Sequence, residues 1–104
     1  MDKVSILVPV FNEEKTIINV LEILKKHKFL KINLKKEIII LLDIRSNDGT
    51  KTKIENFLKN NHNFAKLYEI SKPGKGYAIK YGFEKASGKF ILIQDADLEY
   101  DIND

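Results

Sequence analysis

Between Glu37 and Asp43 the chain reads Ile38-Ile39-Ile40-Leu41-Leu42, an unbroken aliphatic run held between two carboxylates. A strand with one face in water alternates apolar and polar residues. One buried on both faces does not alternate, and such strands sit inside parallel sheets covered by helices on each side. The run therefore predicts a central strand over Glu37 to Asp43 in an α/β fold.

Upstream, Val4 to Val10 is a second apolar run that ends on Pro9-Val10 and leads into Phe11-Asn12-Glu13-Glu14. This pattern predicts a buried strand followed by a helix N-terminus, with Asn12 as the N-cap. Ile17, Val20, Leu21 and Leu24 recur at helical spacing, and Lys25, Lys26 and Lys28 place cations near the helix end. An amphipathic helix of about four turns is expected.

Downstream, Ser46-Asn47-Asp48-Gly49 is turn chemistry, with Ser46 and Asp48 read as turn and helix-cap residues. Ile54, Phe57 and Leu58 mark the apolar side of a second helix, and Phe64 to Ile70 fits a short third strand. Lys72-Pro73-Gly74-Lys75-Gly76 is a glycine-rich connection into a third helix whose apolar side is Ala78, Ile79, Gly82, Phe83 and Ala86. Gly88 stops that helix. Phe90-Ile91-Leu92-Ile93 is the fourth strand, and Asp95-Ala96-Asp97 lies just beyond it.

The order βαβαβαβ implies a Rossmann-like parallel sheet sandwiched by helices and joined by right-handed crossovers. Ligands bind such sheets outside the carboxyl ends of the strands. The polar clusters at Asn12-Glu13, Asp43 to Asp48 and Asp95 to Glu99 each follow a strand directly, so they should converge on one edge.

At 104 residues and 43% hydrophobic content, the chain forms one small domain or part of one. With no cysteine, it has neither a disulfide framework nor a thiolate metal site. Any metal must be held by oxygen or imidazole. The formal charge of +3 is unevenly spread: Asp95, Asp97, Glu99, Asp101 and Asp104 put five acids in the last ten residues, leaving +8 on the rest. A basic body attracts phosphates, nucleic acid or an anionic surface, although individual lysines also simply solvate helix faces. Neither a signal peptide nor an apolar run long enough to span a bilayer is present, which leads to the expectation of a soluble, cytoplasmic chain.

Asp95 and Asp97 flank a small alanine at a strand exit, a spacing that can set one carboxylate on a metal and the other on a sugar hydroxyl of a bound nucleotide. Glu99 adds a further oxygen donor. Such hard oxygen sites suit Mg2+ or Mn2+, which can bridge to a diphosphate. The acids from Asp95 to Asp101 do not make a calcium-binding EF-hand loop, because Tyr100 stands where that loop needs glycine. Gly74-Lys75-Gly76 can bring backbone amides and an ammonium to phosphate at a helix start, while its glycines equally allow a tight strand-helix connection. It lacks the full P-loop pattern, so ATP hydrolysis is disfavoured. Asp43 can reach a base or ribose, or cap the following turn. His27 and His62 lie in lysine- and asparagine-rich helix ends and are assigned no function.

Taken together, Val8-Pro9-Val10-Phe11-Asn12-Glu13-Glu14, Leu42-Asp43-Ile44-Arg45-Ser46-Asn47-Asp48-Gly49-Thr50, Gly74-Lys75-Gly76-Tyr77-Ala78 and Gln94-Asp95-Ala96-Asp97-Leu98-Glu99-Tyr100 resemble family 2 glycosyltransferases. The closest likeness is to the dolichyl-phosphate mannose synthase and polyprenyl-phosphate glycosyltransferase branch. This resemblance implies a GT-A fold and inverting transfer from a nucleotide-diphosphate sugar, a GDP- or UDP-sugar, to a lipid phosphate such as a polyprenyl phosphate, or to a glycan. No nucleic-acid partner is expected.

By position, the resemblance places Pro9, Phe11 and Glu13 in the first-strand segment that cradles the nucleotide, with Phe11 in place of a frequent tyrosine. Asp43 matches the first acid of the second-strand motif, Lys75 the glycine-rich loop, Asp95 and Ala96 nucleotide-sugar contacts, Asp97 the metal-binding acid and Glu99 a further metal position. One departure stands out. The family usually carries Asp-Asp-Gly-Ser after its second strand, whereas this chain has Asp43-Ile44-Arg45-Ser46.

Family catalytic domains run to about twice this length. The chain is therefore expected to be the N-terminal, donor-binding part of such a domain, truncated and inactive by itself. Its general base would lie beyond Asp104, and any membrane association, at a cytoplasmic face, would come through later segments. A nucleotidyltransferase of related architecture is a rival reading, but such enzymes usually carry a glycine-rich first loop with a basic residue, which Pro9-Val10-Phe11-Asn12-Glu13 does not provide. A non-catalytic nucleotide-sugar-binding module is the other rival.

Overall fold

The computed structural model describes residues 2–26 and 35–97. Strand β1 (Lys3–Val10), helix α1 (Ile17–Lys26), β2 (Lys35–Asp43), α2 (Thr50–Lys59), β3 (Ala65–Ile70), α3 (Lys75–Lys85) and β4 (Phe90–Ile93) follow in the expected order. All neighbouring strands are parallel, in the order β3-β2-β1-β4. Ile38 lies opposite Ile6 of β1 and Ala65 of β3, so the aliphatic run is central.

Because side chains alternate across a strand, the two apolar runs feed two cores. On one face Val4, Ile6, Val8, Val10, Ile38, Ile40 and Leu42 pack against Ile17, Val20, Leu21 and Leu24 of α1 and Ile54 and Phe57 of α2. On the other, Leu7, Ile39, Leu41 and Ile70 meet Ala78 of α3. Each large aliphatic side chain taken fully out of water contributes about 1.5–3 kcal/mol. The resulting helix-sheet-helix layering is the predicted α/β sandwich.

Two local expectations are corrected, the start of α1 and the place of Phe83. Helix α1 does not start at Asn12. That residue adopts φ 50°, the left-handed region, and the chain then turns through N–H groups of Thr16 and Ile17 that both donate to the Glu13 carbonyl. The described helix is 10 residues, just under three turns, and Lys28 lies outside the described residues. Phe83 does not join the buried side of α3, being 50% exposed. The helix meets the sheet through Ala78 and Gly82, and a Cβ on Gly82 would stand 2.8 Å from Leu41 Cδ1 and 2.9 Å from Leu7 Cδ1. So close an approach turns Phe83 off the interface. Finally, Phe90, Leu92 and Ile93 are about half exposed, because β4 borders the described sheet.

Candidate functional site

The strand order creates a switch point: the chain steps from β1 outward to β2 and β3, then returns to the other side of β1 with β4. A crevice opens there at the carboxyl ends of the strands. Gln94 donates its N–H to the Leu7 carbonyl at 2.9 Å, so the segment bearing Asp95 and Asp97 leaves the sheet beside the one bearing Phe11 and Glu13.

The loops after β1 and β2 are fastened to each other. Asn12 N–H donates to Ser46 Oγ at 3.1 Å, and Asn47 N–H donates back to Asn12 Oδ1 at 2.8 Å. Glu13 N–H donates to Thr50 Oγ1 at 2.9 Å, Glu14 N–H to Asp48 Oδ2 at 3.4 Å, and Gly49 N–H to Glu14 Oε2 at 3.0 Å. Asp48 also accepts the Thr50 N–H at 3.0 Å, closing the turn before α2; the N-cap position is Gly49 and carries no side-chain cap, so the expected helix-cap role is not taken. Asn12 therefore ties the next loop rather than capping its own helix. Its partners are more than 30 positions away, out of reach of any local rule.

An open cavity of ≈ 310 Å3 lies over these strand ends. Pro9, Phe11, Glu13, Asp43, Lys75, Asp95, Ala96 and Asp97 all line it, which brings together every expected site residue within the described part. Glu99 falls outside the described residues. Arg45, Lys72 and Gly74 complete the polar rim. Gly74 has φ 104°, a backbone shape reserved for glycine, and α3 begins at the next residue. The unpaired N–H groups of a first helical turn suit an anion.

Charge is divided along the cavity. At the β4 end Lys75 Nζ pairs with Asp95 Oδ1. Burial pushes the Glu13 carboxyl above its ordinary range; the Thr16 hydroxyl opposes this, and the negative charges of Asp97, Asp48 and Asp95 add to it. At the β2 end the hydrogen-bonded Arg45 side chain holds the Asp43 carboxyl below its ordinary range. Ala96 is 3% exposed, with its side chain in the core beside α1 and its carbonyl accepting from the Thr16 hydroxyl. Thr16 is a supporting residue with no motif of its own; its place three residues after Glu13 marks the turn.

Among the described residues no group of three metal-capable side chains forms a cage. Magnesium-type sites use one or two carboxylates and take the rest of their oxygens from phosphates and water. The acids at the β4 end fit that kind of donor set.

The family description Glycosyl transferase family 2 matches residues 5–104. The chain belongs to this family. A relative from Methanococcus voltae, dolichyl N-acetyl-alpha-D-glucosaminyl phosphate 3-beta-D-2,3-diacetamido-2,3-dideoxy-beta-D-glucuronosyltransferase, is 36% identical over 95 residues, 89% of this chain and 28% of that protein. The chain thus spans under a third of that relative's length. Among solved structures, S. aureus TarS 1-349 in complex with UDP matches with TM-score 0.74 and 31% identity over 91% of this chain and 27% of that one. The mannosyltransferase PcManGT from Pyrobaculum calidifontis, in complex with GDP-Man and Mn2+, matches with TM-score 0.79 and 24% identity over 92% and 28%. The GT-A fold expected of a family 2 glycosyltransferase is the fold observed.

Proposed function

We propose that this chain is the donor half of a glycosyltransferase, which seats a nucleotide-diphosphate sugar with its diphosphate over the β4 end of the cavity and its base over the β2 end. The observation that carries this reading is the meeting of four separate loops, bearing Phe11, Asp43, Lys75 and Asp97, round one cavity at the switch point.

In this reading Asp97 holds a Mg2+ or Mn2+ ion, with Glu99 as a further donor. When bound, such an ion neutralises charge on the departing diphosphate. Asp95 fixes a sugar hydroxyl, and Lys75 exchanges its contact with Asp95 for a phosphate oxygen, a charge-assisted contact stronger than its exposed ion pair. Ala96 keeps its side chain in the core, so the sugar would lie against its backbone at the strand end. Pro9, Phe11 and Glu13 shape the side below the nucleotide. An acceptor oxygen then attacks the anomeric carbon from the face opposite the diphosphate, inverting it, after losing its proton to a base beyond the described residues. The M. voltae relative acts, by its name, on a dolichyl sugar phosphate. A lipid phosphate at a cytoplasmic membrane face is the acceptor class we propose for the whole protein.

Calorimetric titration with GDP and UDP, with and without manganese, tests the donor site. Binding that requires manganese and is lost in Asp97→Ala supports it. Metal-independent binding, or binding untouched by Asp97→Ala, overturns the metal assignment.

A further inference from the structure

Arg45 stands where the family usually has glycine, after Ile44 in place of the second acid. The geometry shows what the pair of changes does. Arg45 closes on Asp43 from both its backbone and its side chain: N–H and Nε reach Oδ1 at 2.8 and 3.0 Å, and Nε and Nη2 reach Oδ2 at 3.2 and 2.6 Å. The guanidinium carbon also lies 5.1 Å from the centroid of the Phe11 ring, within cation-π range. A long, exposed side chain is thereby held in one orientation at the mouth of the cavity.

Two consequences follow for recognition. Four hydrogen bonds converge on the two oxygens of Asp43, so little acceptor capacity is left for a ligand's N–H. A guanidinium carries five N–H donors in a planar fork. Its Nε/Nη2 edge is used on Asp43, which leaves the Nη1/Nη2 edge, two parallel donors, facing away from that carboxylate. Ile44 is 52% exposed and its side chain has no polar atom to balance them. The β2 end of the cavity offers donors where the usual pair of acids would offer acceptors.

We propose that Arg45, oriented by Asp43 and Phe11, selects the base of the nucleotide donor and favours one that presents two acceptors on a single edge. Guanine does so through O6 and N7, the arrangement that arginine reads bidentately. Uracil offers one keto oxygen beside an apolar ring edge. On the edge remote from the sugar, adenine and cytosine place an exocyclic amino group, donor against donor; cytosine's own acceptor pair, N3 and O2, lies on the edge beside the glycosidic bond. The proposal rests on the donor-site reading above. The base end is the end reached because Arg45 is held on Asp43 of β2 and over Phe11 just after β1, while Asp95 and Asp97 follow β4. At about 4.8 Å per strand spacing, Arg45 and the Asp95–Asp97 turn leave strands roughly 10 Å apart.

The test is competitive binding of GDP, UDP, CDP and ADP to the full chain with manganese, together with manganese pyrophosphate, for the parent protein, Arg45→Ala, Arg45→Lys and Asp97→Ala. Arg45 is exposed, so folding of its variants is checked by circular dichroism. The expected ranking is GDP, then UDP, then CDP and ADP, with GDP about tenfold or more tighter than the last two. Arg45→Ala compresses that ratio to under about threefold, and Arg45→Lys, a point charge without the fork, falls between. Asp97→Ala weakens all four nucleotides alike. A ranking that survives Arg45→Ala, or equal binding of all four bases, overturns this inference and leaves the donor site standing. Loss of pyrophosphate binding in Arg45→Ala as large as the loss of GDP binding also overturns it, since Arg45 would then be reading phosphate. A protein that binds none of the four overturns both readings.

Discussion

Asn12, whose own backbone sits at φ 50°, accepts the Asn47 N–H on its Oδ1 at 2.8 Å. One asparagine thus bends the chain after β1 and binds it to the loop after β2. Asparagine tolerates the left-handed region better than other non-glycine residues because its short polar side chain can hydrogen-bond locally.

Asn12→Ala loses both contributions and should cost about 1–2 kcal/mol, whereas Asn12→Gly keeps the backbone shape and should cost about half of that. Urea denaturation of the three proteins checks the order. Equal destabilisation by alanine and glycine would show that the strained backbone contributes nothing.

Three glycines should respond differently to one added methyl group. At Gly88 the new Cβ would stand 2.6–2.9 Å from Ser5 Oγ, Ser5 N and Lys3 O, two of which are backbone atoms that cannot swing aside. Gly88→Ala should therefore cost about 3 kcal/mol or more. At Gly82 the obstacles are Leu7 and Leu41 side chains packed in the core. Overpacking there, about 1–3 kcal/mol, should outweigh the roughly 1 kcal/mol gained in helix propensity. Nothing lies within 4 Å of a Cβ on Gly76, which is in the first turn of α3, so Gly76→Ala should be neutral or stabilising by up to about 1 kcal/mol. Thermal melts rank the three.

Glu13 gives a pH dependence of definite sign. Its carboxyl titrates higher in the folded chain than in the unfolded one, through burial first and neighbouring acids second. The folded state then holds more protons between the two values, so this group costs stability as pH rises from the unfolded value through the raised folded value. The cost is constant above that. Glu13→Gln should gain on the parent protein as pH is raised from acid to neutral. Urea midpoints at the two ends of that range check it, and a difference that does not change with pH would contradict the burial argument.

Lys75 separates binding from stability. Its pair with Asp95 joins side chains that are 55% and 46% exposed. Such a pair is worth little, and Lys75→Ala should shift stability by less than about 0.5 kcal/mol. If the ammonium transfers to a phosphate oxygen, nucleotide-diphosphate affinity should fall roughly tenfold or more in the same variant. Denaturation and calorimetry on one preparation read both numbers.

The fold was legible because its evidence is local. Ile38 to Leu42 announces burial on both faces, and each acidic or glycine-rich cluster follows a strand end directly, which is enough to gather Glu13, Asp43, Lys75 and Asp97 at one edge. What escaped depends on partners distant in sequence or on the depth of packing. Asn12 looks like a helix cap until Ser46 and Asn47 are beside it. Phe83 has the right spacing for the core, but Gly82 brings α3 so close that its neighbour is turned outward. The hold of Arg45 on Asp43 and its stacking over Phe11 join the ends of two strands, and no spacing rule reports that.

The order β3-β2-β1-β4 also has a consequence for how the chain is born. The side of β1 that finally receives β4 pairs Val4 to Leu7 with Phe90 to Ile93, so its partner is made some eighty residues later. At ribosomal rates of about 5–20 residues per second, that hydrogen-bonding edge waits roughly 4–16 s for its neighbour. Strand β1 is thus among the last of the described strands to be enclosed, and the crevice beside it can form only once the nascent chain has passed Asp97.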